Sequence, residues 1–412
     1  MSTFKSFLNW PSFTVEEANA VQKVLLSNKV NYWTGQECRL FEGEFAKWSG
    51  SQYAVALANG TLALDVALRA LGIQAGDEVI VTPRTFIASI SCVVNIGATP
   101  VFADVDQNSG NITPDTIAKV ITSKTRAIIC VHLGGWPCDM DGIMALANLH
   151  DIKVIEDCAQ AHGALYKGKS VGSIGHIGAW SFCQDKIMTT GGEGGMVTTN
   201  DESLWRSMWA YKDHGKSYEA VYEREYPPGY RWLHESFGTN WRMLEMQAII
   251  GRIQLKRMSD WTWRRNENAQ LLTRGLNQFI ENGLLRIPAF QCTDTCSRSD
   301  VRACHKSDGL CKHAYYKYYA YVNTEKLSVG WTRDRILDSI NTSGVPCFVG
   351  SCSEVYLEKA FDNTGLRPEL PLPVAKNLGE TTLMFLVHPT ITPEDMSLAV
   401  EKIIKVLSQA SV

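Results

Sequence analysis

The stretch KVIEDCAQAHGALYKGKSVGSIGHIGAWSFCQDKIMTTGGEGGMVTT, residues 153–199, decides the fold. It holds three short apolar runs, at 153–156, 178–182 and 195–199, each of strand length and bounded by glycine or polar turn residues. The third follows the loop Thr190-Gly191-Gly192-Glu193-Gly194 too closely for a helical crossover, so it is expected to lie antiparallel to its neighbour.

Upstream, further strand-like runs at 53–57, 78–82, 100–103 and 126–132 alternate with helical patterns at 61–71, 86–96, 114–121 and 140–149. Strands alternating with helices predict an α/β domain built on a seven-stranded, mainly parallel sheet between helices. Thr14-Val15-Glu16-Glu17 is a capping box that opens an N-terminal helix. Met243, Met246, Ile249, Ile250 and Ile253 recur at helical spacing and predict a long helix leading to a second domain. Residues 1–256 are therefore assigned to the N-terminal helix and large domain, and 257–412 to a smaller C-terminal α+β domain with strands at 315–322 and 382–386 and a helix at 395–407.

Composition narrows the class of function. The 412 residues are 45% apolar and 20% charged, enough for buried cores, and 40 Lys plus Arg against 43 Asp plus Glu give a net charge of −3. Neither sign forms a block, so no concentrated basic field is available for nucleic acid or a membrane surface, and small partners are expected. MSTFKSFLNW lacks the apolar core of a signal peptide and no run approaches membrane-spanning length, so a cytoplasmic location is expected. Cys38, Cys92, Cys130, Cys138, Cys158 and Cys183 sit singly in or beside apolar runs and read as reduced.

Parallel α/β sheets bind ligands at the carboxyl ends of their strands. The polar residues there are Asn59-Gly60-Thr61, Thr85-Phe86, Asp157 with Gln160, and Ser181 to Lys186. Gly60-Thr61 opens a helix, where bare N–H groups and a hydroxyl suit an anion, although alone it is an ordinary N-cap turn. Asp157 ends an apolar strand, where its charge needs a cation or good hydrogen bonds, although alone it is a turn cap. Lys186, beside Ile187 and Met188, is a candidate amine nucleophile, although most lysines are merely solvated. The glycines after it precede a strand and not a helix, which rejects a dinucleotide fingerprint. Taken together, a strand-end Asp, a downstream Lys, Ser181 and the Gly-Thr anion site are what pyridoxal 5'-phosphate requires: an amine, a carboxylate for the pyridinium nitrogen, and phosphate donors.

Ala58-Asn59-Gly60-Thr61-Leu62-Ala63-Leu64, Gly76-Asp77-Glu78-Val79-Ile80-Val81, Glu156-Asp157-Cys158-Ala159-Gln160-Ala161-His162-Gly163, Ser181-Phe182-Cys183-Gln184-Asp185-Lys186, Gly192-Glu193-Gly194-Gly195-Met196 and Gly238-Thr239-Asn240-Trp241-Arg242-Met243 together resemble the DegT/StrS sugar aminotransferases, fold type I pyridoxal-phosphate enzymes of the aspartate aminotransferase superfamily. The resemblance implies that Lys186 holds the cofactor as a Schiff base, Asp157 pairs with the ring nitrogen, Gln160 bonds the ring hydroxyl and Phe86 lies on the ring face. It further implies that Gly60, Thr61 and Ser181 hold the phosphate, that Asn240 reaches it from a second copy, and that the working form is a homodimer with a shared active site. Glutamate or a similar donor and a keto-sugar acceptor are the implied substrates, for polysaccharide or lipopolysaccharide synthesis. The acceptor would be nucleotide-linked or a keto-sugar acid, the eight-carbon octulosonate being one such acid. Relatives that dehydrate sugars carry histidine in place of the lysine, so Lys186 favours transamination over dehydration, and an idle regulator has no need of the amine.

Cys292, Cys296, Cys304 and Cys311, with His305 and His313, depart from that family pattern. Their spacing lacks the paired short hairpins of a structural zinc site, no metal is expected, and a loop near the substrate mouth is the simpler reading. The run Tyr315, Tyr316, Tyr318, Tyr319, Tyr321 reads as a strand face. Arg231, Arg242, Lys212 and His214 stand where an anionic group might dock, with surface solvation the simpler reading for each.

Overall fold

Seven runs of small and β-branched residues form the large sheet of the computed structural model, which describes residues 7–288 and 311–412. In chain order they are β1 (Tyr53–Leu57), β2 (Glu78–Val81), β3 (Thr99–Phe102), β4 (Thr125–Val131), β5 (Lys153–Asp157), then, after a small hairpin of β6 (Leu165–Tyr166) and β7 (Lys169–Ser170), β8 (Ile177–Ser181) and β9 (Gly195–Thr199). The spatial order is β1-β9-β8-β5-β4-β2-β3. Strands β3, β2, β4, β5 and β8 are parallel, and β9 runs antiparallel to both β8 and β1, as the short loop before it requires. Because β9 reverses twice, β1 is parallel to β8, and the carboxyl ends of β1, β2, β5 and β8 share one rim.

Helix boundaries differ from the sequence reading by a few residues. The helix expected at 86–96 spans Ala88–Asn95, with Phe86 left in the preceding turn, and the one expected at 114–121 closes at Ala118. Helices that the sequence pattern did not place include Glu37–Ser49, ended by Gly50 at φ 71°, and Glu202–Tyr211, capped by Asp201.

The N-terminal helix Val15–Leu26 opens with the expected box, Thr14 N–H donating to Glu17 Oε2 at 2.6 Å. A 31-residue helix, Glu245–Gly275, runs beneath both cores, with Leu255 and Met258 in the first and Ala269 and Leu272 in the second. The second core covers an antiparallel sheet of β10 (Leu285–Arg286), β11 (Tyr318–Val322), β12 (Cys347–Phe348) and β13 (Thr382–Phe385), in the order β10-β11-β13-β12, packed by the helix Pro393–Ala410. Among the described residues no helix is long and apolar enough to cross a membrane. Of the cysteine–histidine cluster, Cys292, Cys296, Cys304 and His305 lie outside the described residues, while Cys311 and His313 are buried.

A fully buried carboxylate, Glu156, ties the centre of the sheet to the loop before β8. Its Oε1 accepts from Ile174 N–H (2.9 Å) and Gly175 N–H (2.6 Å), and its Oε2 from Gly172 N–H (2.8 Å) and His132 Nε2 (3.0 Å). Cys138 N–H donates to His132 Nδ1 at 3.0 Å, which puts the imidazole proton on Nε2. His132, Glu156 and Cys158 present ligand atoms within 4.8 Å of one another, but four donors already occupy both carboxylate oxygens, so the group is a hydrogen-bond network.

Burial opposes ionisation of Glu156, yet the bonds from His132, Gly172 and Gly175 outweigh it and hold the carboxyl below its usual range. A carboxyl lowered on folding stabilises the protein above the unfolded value of about 4.3, and that contribution fades as the pH falls through the folded value. Glu156→Gln should therefore destabilise the protein by about 1–3 kcal/mol at pH 7, with the gap to the parent narrowing below about pH 4. Urea denaturation at a series of pH values measures this, and a pH-independent gap would contradict it.

Candidate active site

A cavity of about 910 Å³ opens at the shared rim, lined by Gly60, Thr61, Phe86, Asp157, Gln160, Ser181 and Lys186, seven of the eight residues singled out in the sequence. Asp157, the last residue of β5, is buried. Its Oδ2 accepts from Ser89 Oγ at 2.8 Å and its Oδ1 from Ala159 N–H at 3.1 Å. Since the Ser89 proton goes to Asp157, Thr85 Oγ1 donates to Ser89 Oγ at 2.9 Å, forming a short relay behind the carboxylate. Among the described residues no cation pairs with Asp157, so two neutral donors are all that hold a buried negative charge.

The anion cradle arises where β1 meets its helix. Asn59 caps the helix Gly60–Ala70, its side chain accepting from Leu62 N–H at 3.0 Å. Ala63 N–H reaches the Asn59 carbonyl, which leaves the N–H groups of Gly60 and Thr61 toward the cavity. A Cβ on Gly60 would lie 2.5 Å from Ser181 Cβ, so the bare glycine lets the helix start close on Ser181. The Ser181 hydroxyl accepts weakly from Cys183 N–H at 3.4 Å and keeps its proton for another acceptor.

Lys186 follows β8 in a loop held from three sides. Thr189 N–H donates to Gln254 Oε1 (2.9 Å), and Gln254 Nε2 to Glu17 Oε1 (2.9 Å), which links the loop to the long helix and the N-terminal helix. Trp10 Nε1 donates to the Lys186 carbonyl at 2.8 Å. The Lys186 ammonium sits 5.1 Å from the centre of the Tyr316 ring and has no ion pair among the described residues. Gly134 N–H donates to Gln160 Oε1 at 2.7 Å, which turns the amide nitrogen of Gln160 into its free donor. Phe86 is 68% exposed on the cavity wall, a large ring with no cover of its own.

Other expectations separate from this site. Asn240 is exposed and bridged to Asp213, next to the end of β1 where Ala58 N–H meets the Trp241 carbonyl, and it does not line this chain's cavity. The four cationic residues offered as an anion dock do not gather there. Lys212 is fully buried 3.5 Å from Glu42 and over the Tyr32 ring, Arg242 pairs with Asp213 at 2.5 Å, and Arg231 stands by Tyr226, so the solvated reading fails for Lys212 as well.

The sequence reading missed Ser89, Tyr316 and Lys317 as cavity residues. Ser89 carried a signal, facing the rim one helical turn after Thr85. The tyrosine alternation holds within β11, but Tyr316 and Lys317 precede the strand and turn to the cavity, where the Tyr316 hydroxyl donates to Asp185. His162, wedged between Trp180 and Phe182, has both ring nitrogens unpartnered among the described residues and is pushed down to about 3 by burial and by the charges of Lys186 and Arg265, so it is neutral.

Sheet order, second domain and strand-end site together define a fold type I α/β transferase. The chain belongs to the DegT/DnrJ/EryC1/StrS aminotransferase family, whose model matches residues 11–404. It is similar to the GDP-perosamine synthase of Escherichia coli O157:H7, 42% identical over 66% of this chain and 71% of that protein. It also matches the UDP-N-acetyl-3-dehydro-alpha-D-glucosamine 3-aminotransferase of Acidithiobacillus ferrooxidans, 42% identical over 93% of this chain and 91% of that one. Among solved structures, the aminotransferase from Psychrobacter cryohalolentis is 68% identical with a TM-score of 0.93, covering 98% of this chain and 99% of its own.

Gly60→Ala should drive a methyl group into Ser181 and lower stability by about 1–3 kcal/mol, as overpacking does. Urea denaturation at neutral pH reads this directly; an unchanged midpoint would mean that the cradle is looser than its geometry indicates.

Proposed function

We propose that this aminotransferase uses pyridoxal 5'-phosphate to move an amino group from glutamate, or a similar donor, to a keto sugar. The observation that carries the proposal is the pairing of Asp157 and Lys186 in one cavity: among the described residues, a buried carboxylate without a cation, and an amine without an anion. Asp157 would pair with a protonated pyridine nitrogen, and the Lys186 amine would take the cofactor's aldehyde carbon as its covalent partner. The uncovered Phe86 ring and the Gly60–Thr61–Ser181 cradle suit an aromatic ring and its phosphate.

When bound, the cofactor supplies an electrophilic carbon for amines and a ring that accepts the electrons left when a donor's Cα loses its proton. Asp157, backed by Ser89 and Thr85, would keep positive charge at the ring nitrogen. The amide donor of Gln160 would orient the ring through its hydroxyl, and Phe86 would cover one face. Lys186 Nζ is the base that takes and returns the proton, and Trp10 and Thr189 fix the loop from which it reaches.

The names of the two relatives, a GDP-sugar synthase and a UDP-sugar aminotransferase, support a nucleotide-linked keto sugar used in polysaccharide synthesis, with a free keto-sugar acid as the alternative acceptor. The exposed Tyr230, Trp232 and Phe237, near Asn240 in sequence, support a homodimer in which Asn240 reaches the phosphate site of a second copy.

Lys186→Ala should abolish the spectral change that glutamate causes in the loaded enzyme, and Asp157→Asn should slow it by about 10²-fold or more. Stopped-flow absorbance measures both, and unchanged rates in either variant would overturn the assignment.

A further inference from the structure

A second cavity of about 330 Å³ adjoins the first and shares Asp185, Tyr316, Lys317 and Phe348 with it. At its back lies Arg265, 1% exposed, in the long helix. Arg265 Nη1 donates to the carbonyls of Tyr315 and Tyr316, both at 3.2 Å, and the guanidinium stands 5.1 Å from the centre of the Trp10 ring. Its Nε and Nη2 have no acceptor among the described residues.

At the mouth, the Lys317 ammonium lies 4.8 Å from the Tyr316 ring and pairs with no carboxylate among the described residues. Among the described residues that line the side cavity, two cations, Lys317 and Arg265, thus face one acid, Asp185, whose carboxylate already takes the Tyr316 hydroxyl. His388 on the far wall is held neutral and adds no charge of its own. Burial of cations without anions is costly, and both side chains register it: Arg265 is pulled down to about 9 and Lys317 to about 8, in each case chiefly by burial.

We propose that this side cavity is a carboxylate subsite, in which Lys317 and, behind it, the unpaired N–H groups of Arg265 receive a carboxylate of a substrate whose reacting carbon lies in the main cavity. A volume of about 330 Å³ is at the lower end of ligand cavities, so it takes the end of a small acid and not a nucleoside diphosphate. Two sources carry that chemistry, the distal carboxylate of a dicarboxylic amino donor and the carboxylate of a sugar acid. The inference rests on the transamination reading for its choice of substrates, but carboxylate binding can be measured without turnover.

The test is calorimetric titration of the full-length, cofactor-loaded protein with glutarate, which mimics the donor without its amine, and with glucuronate. Lys317→Gln should weaken one of them by about tenfold, the loss of one charged hydrogen bond, while Lys317→Arg retains affinity within about threefold. Loss confined to glutarate assigns the subsite to the amino donor, and loss confined to glucuronate assigns it to a sugar acid. Unchanged affinity for both acids in Lys317→Gln overturns the proposal, as does equal weakening by Lys317→Arg. If glutamate leaves the cofactor spectrum unchanged while Lys317-dependent carboxylate binding persists, the transamination reading fails and the subsite stands.

Discussion

A carboxylate buried at the end of a central strand, held among the described residues by neutral groups alone, is the constraint on which the rest of this molecule depends. Asp157 closes β5, which lies between β4 and β8 in the middle of the sheet. Ser89 and the Ala159 N–H orient the charge but cannot neutralise it. In a low-dielectric setting such a charge is costly until a cation completes it, which is the ground for the proposed cationic cofactor ring at this point. Glu156, one residue earlier and on the opposite face of the strand, shows the contrast. It receives four hydrogen bonds, is complete without a ligand, and fastens the strand that presents Asp157.

The remaining elements deliver partners to that point. Parallel strands bring Gly60, Phe86, Asp157 and Ser181 to one rim, and the antiparallel β9 closes the sheet so that the Lys186 loop folds back over it. The N-terminal segment has a second role besides capping, because Trp10 joins the Lys186 carbonyl to Arg265 and to the Trp261 ring, 4.9 Å away. The second domain contributes Tyr316 and Lys317 from just ahead of β11, which places the Lys317 cation at the junction of the two cavities.

Much of this was legible in the residues because the relevant signals are local. Apolar β-branched runs marked the seven strands, the glycine loop before β9 dictated its direction, and Asp157, Lys186, Ser181 and Gly60-Thr61 stood where strand ends place ligands. The unread features depend on distant contacts. The helix Glu37–Ser49 is rich in charge and buries Phe41 and Phe45 only against other elements, so its pattern was weak. Lys212 looked solvated because nothing nearby in sequence reveals the Tyr32 and Glu42 side chains that enclose it. Arg265 and Lys317 are 52 residues apart by number and become one cationic wall only after the second domain folds onto the long helix.

The central claim is that the amine of Lys186 and the charge of Asp157 are two ends of one cofactor site. Borohydride reduction of the protein with pyridoxal 5'-phosphate, followed by peptide mass mapping, tests it most directly. The account places the phosphopyridoxyl mass on the peptide that contains Lys186 and on no other lysine in stoichiometric amount. An unmodified Lys186 peptide under saturating cofactor, or label spread over surface lysines, would contradict it.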